Sequence, residues 1–177
     1  MRSDTWVNSD GLQVGFGART SKNPHGATVR TEGNVEILTL ILDWDQLPPA
    51  ATTAPIAKSI PVPADSVILR GNIRVTDDFT SGGAATVDIG FIEADGTAID
   101  QDGLLAAQAI GGLTEGDVVE FDGDLVGDNV GGDDAYISVN VNVDDLTGGR
   151  GIVTVEYLRP MPDSEAQDPI TGTIGSL

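Results

Sequence analysis

Residues Phe79–Gly96, FTSGGAATVDIGFIEADG, decide the fold class. Val87, Ile89 and Phe91 alternate with Asp88, Gly90 and Ile92, the period-2 pattern of a strand. Ser81–Gly83 turns the chain before this run, and Asp95-Gly96 is a strong turn signal after it. The preceding stretch, SVILRGNIRVTDDF, places Val67, Leu69, Ile73 and Val75 on one face and Ile68, Arg70, Asn72 and Arg74 on the other. Such neighbouring alternating runs, split by glycine turns, predict antiparallel sheet.

The same reading extends outward. YISVNVNV (Tyr136–Val143) sets Tyr136, Ser138, Asn140 and Asn142 against Ile137, Val139, Val141 and Val143. GIVTVEYL (Gly151–Leu158) sets Val153, Val155 and Tyr157 against Ile152, Thr154 and Glu156. GLQVGFG (Gly11–Gly17) is also a strand candidate, and DVVEF (Asp117–Phe121) resumes β character. VEILTLILDW (Val35–Trp44) fits a strand buried on both faces or a short helix, with its β-branched content and its flanks favouring the strand. DQDGLLAAQAI (Asp100–Ile110) differs: Leu104, Leu105, Gln108 and Ala109 fall at helical spacing, acids stand at the start, and Gly111-Gly112 follows, so one short helix is expected there. The predicted fold is all-β, an antiparallel β-sandwich of jelly-roll or Greek-key type with one short helix and an N-terminal β arm. The expected divisions are an N-terminal β region over 1–47, a Pro-rich connector over 48–65, a sandwich body over 66–160 and a polar tail over 161–177.

Composition narrows function. The 40% apolar content over 177 residues supports a globular chain with a real core. No apolar run approaches the roughly 18 residues of a membrane span, and MRSDTWVNSDG lacks the apolar core of a signal peptide. With no Cys, disulfides, thiolate metal sites and Cys nucleophiles are all excluded. A net charge of -19, with nine unclustered Lys and Arg, argues against nucleic acid and anionic membranes as partners. The charge suits solubility, or salty surroundings where counterions screen self-repulsion.

Chemistry-bearing constellations are sparse. His25 is the single histidine and sits in the turn SKNPHG, so no His pair or Ser-His triad can form. DGDLVGDNVGGDD offers Asp122, Asp124 and Asp128 as candidate Ca²⁺ ligands, but the EF-hand order is missing, and Asp and Gly are ordinary turn residues. Turn chemistry is the preferred reading, and no metal or other cofactor is expected. Paired carboxylates for a hydrolase lack support, as does a Ca²⁺-dependent carbohydrate module, since aromatics are 5% of the chain. No enzymatic activity is expected. The polar, uncharged stripe Tyr136, Ser138, Asn140 and Asn142 is either a solvated face or a contact surface. Trp6 and Phe16 are further interface candidates in the N-terminal region.

The run IPVPADSVILRGNIRVTDDFTSGGAATVDIGFIEADG, then IDQDGLLAAQAIGGLTEGD, then GGRGIVTVEYLRP, resembles virion structural proteins of tailed bacteriophages, the small head decoration or cement proteins. The matching motifs are Pro63–Val67, Phe79, Ser81–Thr86, Val87–Gly90 and Gly151–Tyr157, and the likeness covers residues 4–160. They are architectural motifs. The resemblance implies a β-sandwich made in the host cytoplasm and seated on the capsid exterior. It implies the major capsid protein as partner and self-association as a homotrimer, with neighbouring shell subunits bridged. A neck, tail or head-fibre component is the alternative within the virion.

Overall fold

The computed structural model describes residues 5–7, 13–15, 19–20, 28–32, 35–47, 49–50, 53–55 and 60–160. His25, Phe16 and the 161–177 tail lie outside them.

The described strands are β1 (Thr5–Val7), β2 (Gln13–Gly15), β3 (Arg19–Thr20), β4 (Thr28–Glu32), β5 (Val35–Asp43), β6 (Thr53–Pro55), β7 (Val67–Ser81), β8 (Thr86–Ile92), β9 (Ala98–Ala109), β10 (Val118–Glu120), β11 (Tyr136–Asn142) and β12 (Leu146–Leu158). Every pairing is antiparallel. One sheet has the order β10-β7-β12-β5-β4-β3 and the other β6-β11-β8-β9, while β1 and β2 form a separate ladder. The two larger sheets make the expected sandwich. Its core follows directly from alternation: β5 buries Leu38, Leu40 and Leu42, β8 buries Val87, Ile89 and Phe91, β11 buries Ile137, Val139 and Val141, and β12 buries Val153, Val155 and Tyr157. Each fully buried aliphatic or aromatic side chain contributes roughly 1.5–3 kcal/mol of transfer free energy.

Two expectations are corrected. Residues 98–109 form strand β9, not a helix; the minor helical element is a single 3-10 turn at Ile110–Gly112, with another at Trp44–Gln46. The helical spacing of Leu104 and Leu105 arises from a bulge. Between Ile89↔Leu105 and Phe91↔Asp100, β8 advances two residues while β9 advances five. The extra residues fold over Gly90, where any Cβ would collide with the Asp100 carbonyl. The face assignment at the start of β7 also shifts. Ile68 pairs with Tyr157 and Arg70 with Glu156, so Leu69 is the extra residue of a bulge. Ile68 is therefore buried and Leu69 is exposed.

Residues 113–130 close one open side of the sandwich. Phe79 N donates to Leu113 O at 3.0 Å, Val75 N to Asp117 O at 2.9 Å and Phe121 N to Gly71 O at 2.8 Å, all along β7. The chain then crosses to β9, where Gly123 N donates to Leu104 O at 3.0 Å and Leu125 N to Gly103 O at 2.9 Å. It returns to the start of β7 through Gly127 N to Ile68 O at 2.8 Å. Leu113, Phe121 and Val130 anchor it in the core. The crossing needs close backbone approach, since a Cβ on Gly123 would collide with the Gly103 carbonyl.

Gly123→Ala is expected to destabilise the fold by about 1–3 kcal/mol, the usual cost of overpacking against rigid backbone. Urea unfolding checks this; an unchanged midpoint would show that the crossing tolerates a side chain.

Candidate functional site

The polar stripe lies on the outer face of β11, opposite the core-facing Ile137, Val139 and Val141. β11 is flanked by β8 along its whole length, with Ser138 opposite Gly90, Asn140 opposite Asp88 and Asn142 opposite Thr86, and by β6 at Ser138, Val139 and Asn140. The stripe is not freely solvated. Ser138 is fully buried, and Tyr136, Asn140 and Asn142 are half-buried.

A hydrogen-bonded chain runs along this face. Asn140 Nδ2 donates to Asn142 Oδ1 at 3.1 Å, and Asn142 Nδ2 donates to Asp88 Oδ2 at 2.7 Å. The other Asp88 oxygen accepts from Ala107 N at 2.6 Å. Ala107 has φ 48°, a left-handed conformation in the irregular end of β9. Asp88 thus joins the Asn pair to the backbone of the edge strand. The Ser138 hydroxyl and Asn140 Oδ1 have no hydrogen-bond partner among the described residues, and a buried group left unpaired costs about 1–3 kcal/mol. Sequence reasoning placed Asp88 on the outward face of its strand without assigning it a role; the available signal was an acid at mid-strand, where charge needs a partner.

The other predicted candidates scatter. Asp122 and Asp124 share a depression of about 310 Å³ with Asp100 and Asp102 of β9. Asp128 is not among its lining residues; its carboxylate accepts from Asn129 N at 2.7 Å and its carbonyl accepts from Ile68 N. Among the described residues no group of three or more His, Cys, Asp or Glu is placed to hold a metal ion. Trp6 pairs through its backbone with Val14 in the β1–β2 ladder. Neither a nucleophile–base pair nor a metal cluster is assembled among the described residues.

Asp100 titrates above the ordinary Asp range. Burial raises it first, a hydrogen bond with Asp102 second, and the charges of Asp102 and Asp124 add to both. A raised pKa in the folded chain means that ionising Asp100 costs stability, so its contribution is fully present below pH 3.8 and is lost as pH rises through the folded pKa. Asp100→Asn is therefore expected to raise Tm at pH 7 and to leave it unchanged at pH 3. Thermal melts of both chains across that range check the sign; a variant less stable at pH 7 would show that the carboxylate is needed ionised.

No family model matches the chain, and no curated protein matches it in sequence. Solved structures do. A chain of the cyanophage Pam1 capsid asymmetric unit superposes with TM-score 0.51 at 16% identity, over 87% of this chain and 98% of that one. A chain of the capsid of Ralstonia phage GP4 superposes with TM-score 0.52 at 19% identity, over 81% of this chain and 93% of that one. The fold is one found in phage capsids. At these identities the likeness is one of fold.

Proposed function

We propose that this protein is a structural component of a phage head: a decoration protein that binds the outer face of the shell and bridges neighbouring capsid subunits. The observation that carries the reading is the fold shared with capsid chains over most of both lengths. The composition supports it. A chain with one His, no Cys and an assembled β core is built for a durable surface. The sealed edge of β7 fits a monomer that must not polymerise through its strands before it meets the shell.

The N-terminal region and the 48–65 connector act as reaching segments in this proposal, adding strands or loops to neighbours. The exposed parts of Tyr136, Asn140 and Asn142, with Trp6 and Phe16, contribute contact surface between subunits of a homotrimer. A charge of -19 per chain opposes that association at low salt. Screening shrinks the Debye length from about 10 Å at 0.1 M to about 3 Å at 1 M.

Two measurements test the proposal. Sedimentation across a salt series is expected to show self-association strengthening with salt, opposite in sign to a nucleic-acid binder. Co-sedimentation with undecorated shells of its own virus is expected to pellet the protein. A folded chain that never pellets with shells at any salt removes the decoration role.

A further inference from the structure

One end of the sandwich carries surface that the fold does not use. Trp44, in the 3-10 turn after β5, is 41% exposed. Val143, in the turn between β11 and β12, is 78% exposed and has φ 77°. A β-branched residue in that conformation is an outlier, and Gly or Asn would adopt it at lower cost. Persisting strain of this kind points to use. The two turns meet. Ala50 N donates to Asp145 Oδ1 at 2.7 Å, and Trp44, Leu47 and Pro49 line a groove of about 180 Å³ with Asp45 and Asp145. Val143 stands two residues before Asp145, outside the groove's lining.

We propose that this groove docks a basic segment of a partner protein, in which Lys or Arg side chains flank an aliphatic anchor. The anchor would pack on Trp44, Leu47 and Pro49, and the cations would meet Asp45 and Asp145. Exposed Trp beside apolar surface is the usual centre of a binding hot spot. The rim charge selects the partner. Arg150 is paired with Asp43 and its charge also reaches Asp45, so Asp145 is the rim acid most open to an incoming positive charge. A second copy of this chain fits poorly, because it would set the same acids against each other. Aliphatic walls favour a peptide over a glycan, whose recognition needs convergent hydrogen-bonding groups. On the decoration reading, on which the identity of the partner rests, the segment belongs to the shell surface.

The test uses the full chain, read against Trp44→Ala, whose remaining emission is that of Trp6 alone. Titration with a short acetylated and amidated Lys/Leu peptide is expected to shift Trp44 emission to the blue, with all-Lys and Glu/Leu peptides giving no comparable shift. Trp44→Ala, read by calorimetry, is expected to weaken Lys/Leu peptide binding about tenfold or more. Asp45→Asn guards against mere unfolding: its side chain is exposed, so Tm is expected to hold within about 2 °C while the peptide weakens several-fold. Equal responses to Lys/Leu and all-Lys peptides, an Asp45→Asn chain that binds like its parent, or a shift driven by maltohexaose in place of the peptide would each overturn the proposal. Undecorated shells separate it from the decoration reading. If they pellet the parent chain and both variants equally, the groove is not the docking site and the decoration role stands. If they pellet none, the decoration role falls and the peptide titration alone decides the groove.

Discussion

The structure depends on satisfying the open edges of two stacked sheets. A sandwich leaves backbone N–H and C=O groups along its sides, and such edges either find partners or recruit other chains. Here residues 113–130 serve the outer edge of β7, cross to β9, and return to the start of β7. The segment is mostly irregular, with only Val118–Glu120 in regular strand. It therefore covers the β7 edge and meets β9 at Gly103 and Leu104 without offering a regular edge as long as β7. Its Gly and Asp content follows from this task. The crossing at Gly123 has no room for a side chain, and Gly116 and Gly127 take positive φ at the turns.

The parts of the fold legible in the sequence were those where alternation is unbroken. β8, β11 and β12 bury the apolar residues that read as one face of each, while β5, which also reads as a strand buried on both faces, buries only the alternate Leu38, Leu40 and Leu42. Bulges hid the rest. In β9, Gly103, Leu104 and Leu105 are buried consecutively because the strand bends over Gly90, and this compresses the period-2 signal into something close to a helical one. Whether Gly90 admits a neighbouring backbone is a property of tertiary approach, which no local window contains. The Leu69 bulge flipped the start of β7 for the same reason. A single inserted residue inverts every side chain beyond it.

The candidate site was half legible. The alternation that separates Tyr136, Ser138, Asn140 and Asn142 from the core residues of β11 could be read directly. Their engagement could not, because the acceptor that anchors Asn142 is Asp88, 54 positions away, and the group that anchors Asp88 is an amide in the irregular part of β9. The acids Asp122 and Asp124 look like a local cluster in sequence. In space they face Asp100 and Asp102 instead, and the consequence is a carboxyl whose pKa is raised rather than a cation cage.

The same logic reinterprets the charge. Solubility and salt tolerance explain a negative surface but say nothing about which positions are acidic. The hydrogen bonds do. Asp78 accepts from Glu115 N, Asp95 from Thr97 N, Asp117 from Thr114 N, Asp134 from Ala64 N and Asp145 from Ala50 N. A β-sandwich with many turns leaves amide donors outside its ladders, and a short carboxylate is the acceptor that reaches them most easily. The bonds to Thr97 and to Thr114 hold Asp95 and Asp117 below the usual carboxylate range, the sign expected where the ionised form is the working one. Part of the acidity is therefore structural: these aspartates serve the backbone first, and the surface field arises from their accumulation. An evolutionary drift toward neutrality would have to replace each of them with another acceptor of the same reach, Asn or Ser, at the same turn.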